Sequence, residues 1–305
     1  MALGTLPPPR FYIYLDAVAR TGSIRKAAQT LHVASTALNR KINEIEDLLG
    51  TPLFERLPRG VRLTAAGEVL LATVRKSMAD MRAATSQIEH LKGQVRGTVR
   101  IGCAESVATD FIPRAISVYQ QRHSGVQFEM TTGATEQLYK QLIADEIDLM
   151  LVHEVPVSEQ LKILASLKQP LCAMMRPGHA LAQRESLRLA DCQKYPLALT
   201  DTSFGSRRAL DAIASKAGLR LEVSLQATTI QALKAYCRQT DAICFQFEIG
   251  TQREVESGDL VAIALSDKSL AQRSIALACR ASRVLPIASQ SFALTVEQLL
   301  VQFAA

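Results

Sequence analysis

From Gly22 to Gly50 the chain reads GSIRKAAQTLHVASTALNRKINEIEDLLG, and no other stretch restricts the possible folds as closely. Ser23 is suited to cap a helix, and the short run after it carries a small-residue face of Ala27, Ala28 and Leu31. A turn around Val33 follows. Beyond it Leu38, Ile42, Ile45 and Leu48/Leu49 recur at helical spacing until Gly50 stops the run. Two short helices joined this tightly, with small residues at their contact, predict a helix-turn-helix. Upstream, Phe11, Tyr14, Leu15 and Val18 in RFYIYLDAVARTG place another helix between Pro7-Pro8-Pro9 and Gly22.

An inward-facing apolar stripe leaves Ser35, Thr36, Asn39, Arg40 and Asn43 on the outer side of the last helix, near its N-terminal end. Recognition helices present that end to base edges in the major groove. Asn pairs with adenine, Arg with guanine, and a Thr methyl touches thymine. Ser23, at the start of the preceding helix, joins the expected contacts to DNA. The bland alternative is a solvated polar face on a small bundle. Charge distribution favours DNA: residues 1–95 carry 13 Lys/Arg against 8 Asp/Glu, whereas residues 96–305 carry 22 against 21. The excess positive charge therefore sits in the first third, as a polyanion-binding end would require.

PLFERLPRGVRLT comes next, two β-like runs around Pro58-Arg59-Gly60. The expected hairpin carries Arg56, Arg59 and Arg62, suited to phosphates or the minor groove, as in a winged helix-turn-helix. A single helix should then run from Thr64 to about Lys92. Leu70, Val74, Ser77, Met81, Ala84, Ile88 and Leu91 alternate steps of four and three along it, a heptad seam that predicts self-pairing. The alternative for this seam is packing within the helix's own domain.

These segments, in this order, resemble the N-terminal domain of the LysR-type transcriptional regulators. GSIRKAAQTLHV, EIEDLLGTPLFER and RLTAAGE carry the likeness over residues 10–64, and the long helix and the remaining length fit the same family. The resemblance implies an N-terminal all-α winged helix-turn-helix at residues 7–65, a linker and dimerisation helix at 66–95, and an α/β effector-binding domain at 96–305. That last domain would be two-lobed and like a periplasmic binding protein, with lobe one about 96–164 and 270–305 and lobe two about 165–269. It further implies a bacterial regulator and not an enzyme, a dimer on an interrupted palindrome of duplex DNA, assembly to a tetramer, and contact with RNA polymerase at promoters. One departure stands out. Where the family's turn commonly has Ser-Gln-Pro, this chain has Ala34-Ser35-Thr36. Ala34 cannot accept a bond from the free amides of a helix start, so Ser35 or Thr36 is expected to take over the cap.

Residues 96–305 alternate strand-like and helix-like segments, from TVRIGCA and DFIPRAISVYQQRH to RSIALACR and the run from Pro286 to Phe303. Repeated βα order predicts two α/β units with mostly parallel sheets. Ligands of such sheets bind beyond the carboxyl ends of the strands. The resemblance makes Ser106, Thr135, Thr202 and Thr228 the expected effector contacts, with His153, Ser203 and Phe247 at neighbouring strand ends. Simple helix capping is the alternative for each hydroxyl. CRQTDAICFQFEIG stands where many relatives are Gly-rich, which predicts a narrower or more apolar pocket. Glu105 and Glu154 would favour a cationic ligand.

Enzymatic and metal chemistry find no support. His153 has no nucleophile at readable spacing, and no phosphate loop or GxSxG occurs. Cys103, Cys172, Cys192, Cys237, Cys244 and Cys279 form no CxxC and mostly sit in apolar runs, as small core residues of a reducing compartment do. No metal or other cofactor is expected. No apolar run reaches membrane-spanning length, and the N-terminus lacks the plan of a secretory signal, so a cytoplasmic location without membrane contact is expected. A two-lobed solute-binding or enzyme-like protein, whose N-terminal helices only mediate oligomerisation, is the competing reading.

Overall fold

The computed structural model describes residues 9–202 and 204–304, so Pro7, Pro8 and Ser203 lie outside the described residues. The chain divides between Thr85 and Ser86 into two compact units.

The first unit contains α1 (Pro9–Thr21), α2 (Ile24–Thr30), α3 (Ser35–Leu49), β1 (Phe54–Leu57), β2 (Gly60–Leu63) and most of α4 (Ala65–Leu91). Phe11, Leu15, Val18, Ala27, Ala28, Leu38 and Ile42 form its core with Leu53 and Val74. The α3 stripe holds as far as Ile45. Leu48 and Leu49 are exposed, because the last turn of α3 overruns the core that its first three turns help to build.

Local chemistry shapes the turn between α2 and α3. His32 adopts φ 53, in the left-handed region, and the Val33 N–H donates to Ala28 O at 3.0 Å. This reversal closes the end of α2 as a glycine would. Ala34 is the residue before α3, at φ −68 and ψ 134, and its side chain makes no capping bond. The expected takeover by Ser35 or Thr36 does not occur: Ser35 is already the first helical residue. Ser23 caps α2 by accepting from the Lys26 N–H at 3.3 Å.

Strands β1 and β2 pair antiparallel from Phe54↔Leu63 to Leu57↔Gly60, with Pro58 and Arg59 as the loop. The hairpin is pinned to the end of α1. The Val61 N–H donates to Gly22 O at 2.8 Å, and a Cβ on Gly60 would fall 2.3 Å from the same oxygen. Thr64 caps α4, its Oγ1 accepting from the Gly67 N–H at 3.1 Å. The heptad positions of α4 do not share one fate. Val74 is buried in the core of the first unit, whereas Met81, Ile88 and Leu91 are exposed.

Among the described residues the second unit has two five-stranded sheets. Its first part runs β3 (Gly97–Cys103), α5 (Glu105–Ala108), α6 (Phe111–Gln120), β4 (Val126–Thr132), α7 (Thr135–Ile143), β5 (Leu149–His153) and β6 (Leu161–Lys168). Its middle part runs β7 (Leu171–Met175), α8 (Leu189–Cys192), β8 (Leu197–Thr200), α9 (Gly205–Ala217), β9 (Val223–Ala227), α10 (Ile230–Gln239) and β10 (Ile243–Phe247). After a 3-10 turn at Glu248–Gly250 come α11 (Gln252–Glu256), β11 (Val261–Ala264), α12 (Lys268–Ala271), β12 (Ser274–Arg280) and α13 (Ile287–Ala304).

Strand order is β4-β3-β5-β12-β6 in one sheet and β11-β7-β10-β8-β9 in the other. The parallel pairs are β3 with β4 and β5, and β8 with β9 and β10. The remaining pairs are antiparallel, so in each sheet four strands run one way, as expected, and one, β12 or β7, runs against them. The chain leaves the first sheet along β6 and enters the second along β7, then crosses back from β11 to β12. The strand by which the chain crosses into each sheet, β7 in one and β12 in the other, runs against its neighbours, whereas the departing strands β6 and β11 run with the βα repeats. Sheet one also extends through Lys168, beyond the expected limit near residue 164, because β6 pairs with β12 as far as Ser274↔Lys168. Strands β5, β7, β8 and β10 are buried throughout, as expected for strands covered on both faces.

Candidate functional site

Two places gather the residues singled out in the sequence. In the first unit, Leu38, Ile42 and Ile45 face the core, so the opposite side of α3 is open to solvent. Ser35, Thr36, Arg40 and Asn43 are exposed there, and Asn39 is half-buried. The three wing arginines differ sharply in their surroundings. Arg56 turns toward α3, where its Nη2 donates to Asn39 Oδ1 at 2.8 Å and to Asn43 Oδ1 at 3.2 Å. Arg62 donates to Glu55 at 2.6 Å across the hairpin, its Cα partner in the register. Arg59 stands exposed in the loop. The wing thus carries one exposed Arg at the tip, one paired with a carboxylate and one bridging to the neighbouring helix. On α3 itself Glu44 lies 3.7 Å from Arg40 and 2.7 Å from Lys41, and the bond from Lys41 lowers the Glu44 pKa.

The second place lies where the two sheets of the second unit meet. Ser106 and His153 are buried and bonded, Oγ to Nε2, at 2.8 Å. Phe247, from the other sheet, stacks on the imidazole with ring centroids 3.6 Å apart and planes 17° from parallel. Thr135 joins them by donating from Oγ1 to His153 O at 3.1 Å. Burial pushes the His153 pKa down to about 3, so the ring is neutral at ordinary pH. Thr202 and Thr228 are exposed beyond the ends of β8 and β9. The Thr202 carbonyl accepts from Arg208 at 2.9 Å. Ser106, Thr135, His153 and Phe247 thus come together, and the two threonines follow β8 and β9 of the sheet that supplies Phe247. Ser203 falls outside the described residues.

Further contacts join the two sides of this cleft. The Glu105 carboxylate accepts the Ile230 N–H at 2.8 Å, so a side chain after β3 satisfies the start of α10. Burial raises the Glu105 pKa, while the Ile230 N–H and the charge of Lys234 act in the other direction. Gly250 passes so near α5 that a Cβ there would sit 2.6 Å from Ser106 O. Beneath it the buried Lys234 ammonium donates to Gly250 O at 2.6 Å and to Glu254 at 2.7 Å. Glu154 is paired with Arg273 at 3.2 Å. Both acids expected to attract a cation are therefore already engaged. The six cysteines are buried, unpaired thiols, and burial pushes those of Cys103, Cys172 and Cys192 up to about 12. Among the described residues no helix is long and apolar enough to cross a membrane.

This geometry agrees with what the chain resembles. Residues 10–68 match the family described as "Bacterial regulatory helix-turn-helix protein, lysR family", and residues 92–300 match "LysR substrate binding domain". The SDS degradation transcriptional activation protein of a Pseudomonas species is 30% identical over 280 residues, 90% of each chain. The RuBisCO operon transcriptional regulator of Allochromatium vinosum is 31% identical over 223 residues, covering 73% of this chain and 74% of that one. Among solved structures, a full-length OxyR variant from Pseudomonas aeruginosa shares the fold with a TM-score of 0.71 at 17% identity, covering 96% of this chain and 95% of its own. Full-length CbnR in complex with its target DNA has a TM-score of 0.63 at 18% identity, covering 96% and 99%.

Proposed function

The chain belongs to the LysR family of transcriptional regulators, a regulator and not an enzyme, and from that premise we propose how its surfaces divide the work. The outer face of α3 enters the major groove of duplex DNA, with Ser35, Thr36, Asn39, Arg40 and Asn43 at the base edges. Arg59 and Arg62 on the wing, and Ser23 at the start of α2, bind the backbone. The observation that carries this reading is the arrangement of α3, whose polar residues lie in the open opposite a stripe of buried ones. The likeness to CbnR, a protein solved on DNA, supports it.

Met81, Ala84, Ile88 and Leu91, exposed along the second half of α4, pair with a second copy and so present two reading helices to an interrupted palindrome. Two such dimers make a tetramer through their effector units, and the assembly meets RNA polymerase at promoters in the cytoplasm. A small molecule enters between the sheets at Ser106, Thr135, His153 and Phe247, with Thr202, Ser203 and Thr228 as further contacts. To act as a switch it must bind the opened arrangement more tightly than the closed one. Opening separates Phe247 from His153 and Glu105 from Ile230, and a ligand's own ring and polar groups replace those contacts.

Affinity of the full chain for duplex DNA, measured as a function of salt, tests the central claim. Phosphate contacts require log affinity to fall steeply with log salt. No binding at low salt, or binding indifferent to salt, overturns the reading.

A further inference from the structure

We propose that Arg56 is a positioning residue for sequence recognition: by holding the carbonyl oxygens of Asn39 and Asn43, it turns their amide N–H groups toward the bases. This inference rests on α3 reading the major groove.

Asn39 and Asn43 are four residues apart, one turn along the same face of α3. Arg56 reaches both from β1, and both bonds leave the same nitrogen, Nη2. That nitrogen carries two hydrogens, one for each oxygen. A guanidinium donates and never accepts. The atom that each amide turns toward Arg56 must therefore be its oxygen, which fixes the direction of the NH2 group as well. Position is set by the hairpin: Arg56 is paired with Val61, whose N–H is tied to Gly22 O at 2.8 Å.

The consequence concerns which bases fit. An Asn that reads adenine uses its carbonyl to accept from N6 and its NH2 to donate to N7. With Arg56 in place the carbonyls of Asn39 and Asn43 are bound on the protein side, and donors are what remains for the groove. Donors match the two acceptors of guanine, O6 and N7, or O4 of thymine, whereas adenine offers N7 beside an N6–H2 donor that would find no free acceptor on the amide. The wing thus acts on specificity without touching a base, through the orientation of two side chains on the neighbouring helix.

The test is a mutant cycle on the full-length protein. Bound sequences are first selected from a pool of random duplexes, and affinities are then measured for duplexes differing at one base pair. Asn39→Ala identifies the base pair that Asn39 reads. At that pair Arg56→Met should shift the preference from guanine or thymine toward adenine by roughly tenfold. In the Asn39→Ala background the same change should shift it no further, since coupled residues are not additive. Arg59→Met should weaken all sequences alike. If Arg56→Met only scales every affinity down, or its effect persists unchanged without Asn39, the inference is wrong. A changed Asn39→Ala profile beside an unchanged Arg56→Met profile sinks the inference alone, whereas an unchanged Asn39→Ala profile sinks the recognition-helix reading with it. If Arg56→Met unfolds the first unit, Arg56→Lys runs the same cycle, because a mobile ammonium cannot hold two oxygens as a fixed guanidinium does.

Discussion

Lowering the pH from 7 to 5 should cost the second unit about 2 kcal/mol through His153 alone. The ring is bonded to Ser106, covered by Phe247 and buried, and burial keeps its pKa at about 3. In the unfolded chain an imidazole takes up its proton below about pH 6.5. Between those two values the unfolded state binds a proton that the folded state refuses. The stability due to neutral His153 is therefore intact above pH 6.5 and is lost progressively as the pH falls toward 3. Each pH unit inside the window is worth about 1.4 kcal/mol, and pH 5 lies about one and a half units into it. His179 has its pKa lowered too, chiefly by burial, and its contribution has the same sign. The diagnostic quantity is for that reason the difference between wild type and His153→Gln, since Gln can still bond Ser106 and does not titrate. Urea unfolding of the full chain at pH 7, 6 and 5, followed by tyrosine fluorescence through the transition of the second unit, measures it. The advantage of wild type over His153→Gln should shrink by about 2 kcal/mol from pH 7 to pH 5. An advantage that stays constant over that range would show that the ring is not held neutral, and the account of the closed cleft would fall with it.

Two further outcomes concern the first unit. Replacing a helical glycine by alanine ordinarily stabilises by about 1 kcal/mol, but Gly67→Ala should destabilise by about 1–3 kcal/mol. Its Cβ would fall 2.1 Å from Leu53 O, which already accepts the Thr64 N–H at 2.9 Å. A raised melting temperature for that variant would refute the close approach. Ala34→Ser should stabilise α3 by about 1 kcal/mol, because Ala34 already has the backbone of a cap and lacks only the oxygen. A melting temperature unmoved by Ala34→Ser would mean that the amides at the start of α3 are satisfied some other way.

What this sequence determines by itself is whatever depends on neighbours along the chain. Helical spacing in Leu38, Ile42 and Ile45 identified α3 and its buried side, the pair of β-like runs around Pro58-Arg59-Gly60 marked the hairpin, and βα alternation marked two α/β units. Periodicity is a local property, and it is spent once it has assigned a face. It could not tell that Leu48 and Leu49 overrun the core, nor that the seam of α4 divides between Val74 inside and Ile88 outside. Nor could alternation show that β7 and β12 run against the other strands of their sheets, because direction depends on how the chain enters each sheet. The composition of the candidate sites was partly visible, and their connections were not. Asn39 and Arg56 were each recognisable as DNA-facing residue types, but the bond between them exists only because β1 lies beside α3. Ser106, His153 and Phe247 come from three strand ends that folding brings to one place. Glu105 read as a free acid until Ile230 gave it an amide to accept. Tertiary structure alone decided these matters, since a hydrogen bond or a stacked ring is set by distances in space, and residues far apart in the chain carry no local trace of who their partners are.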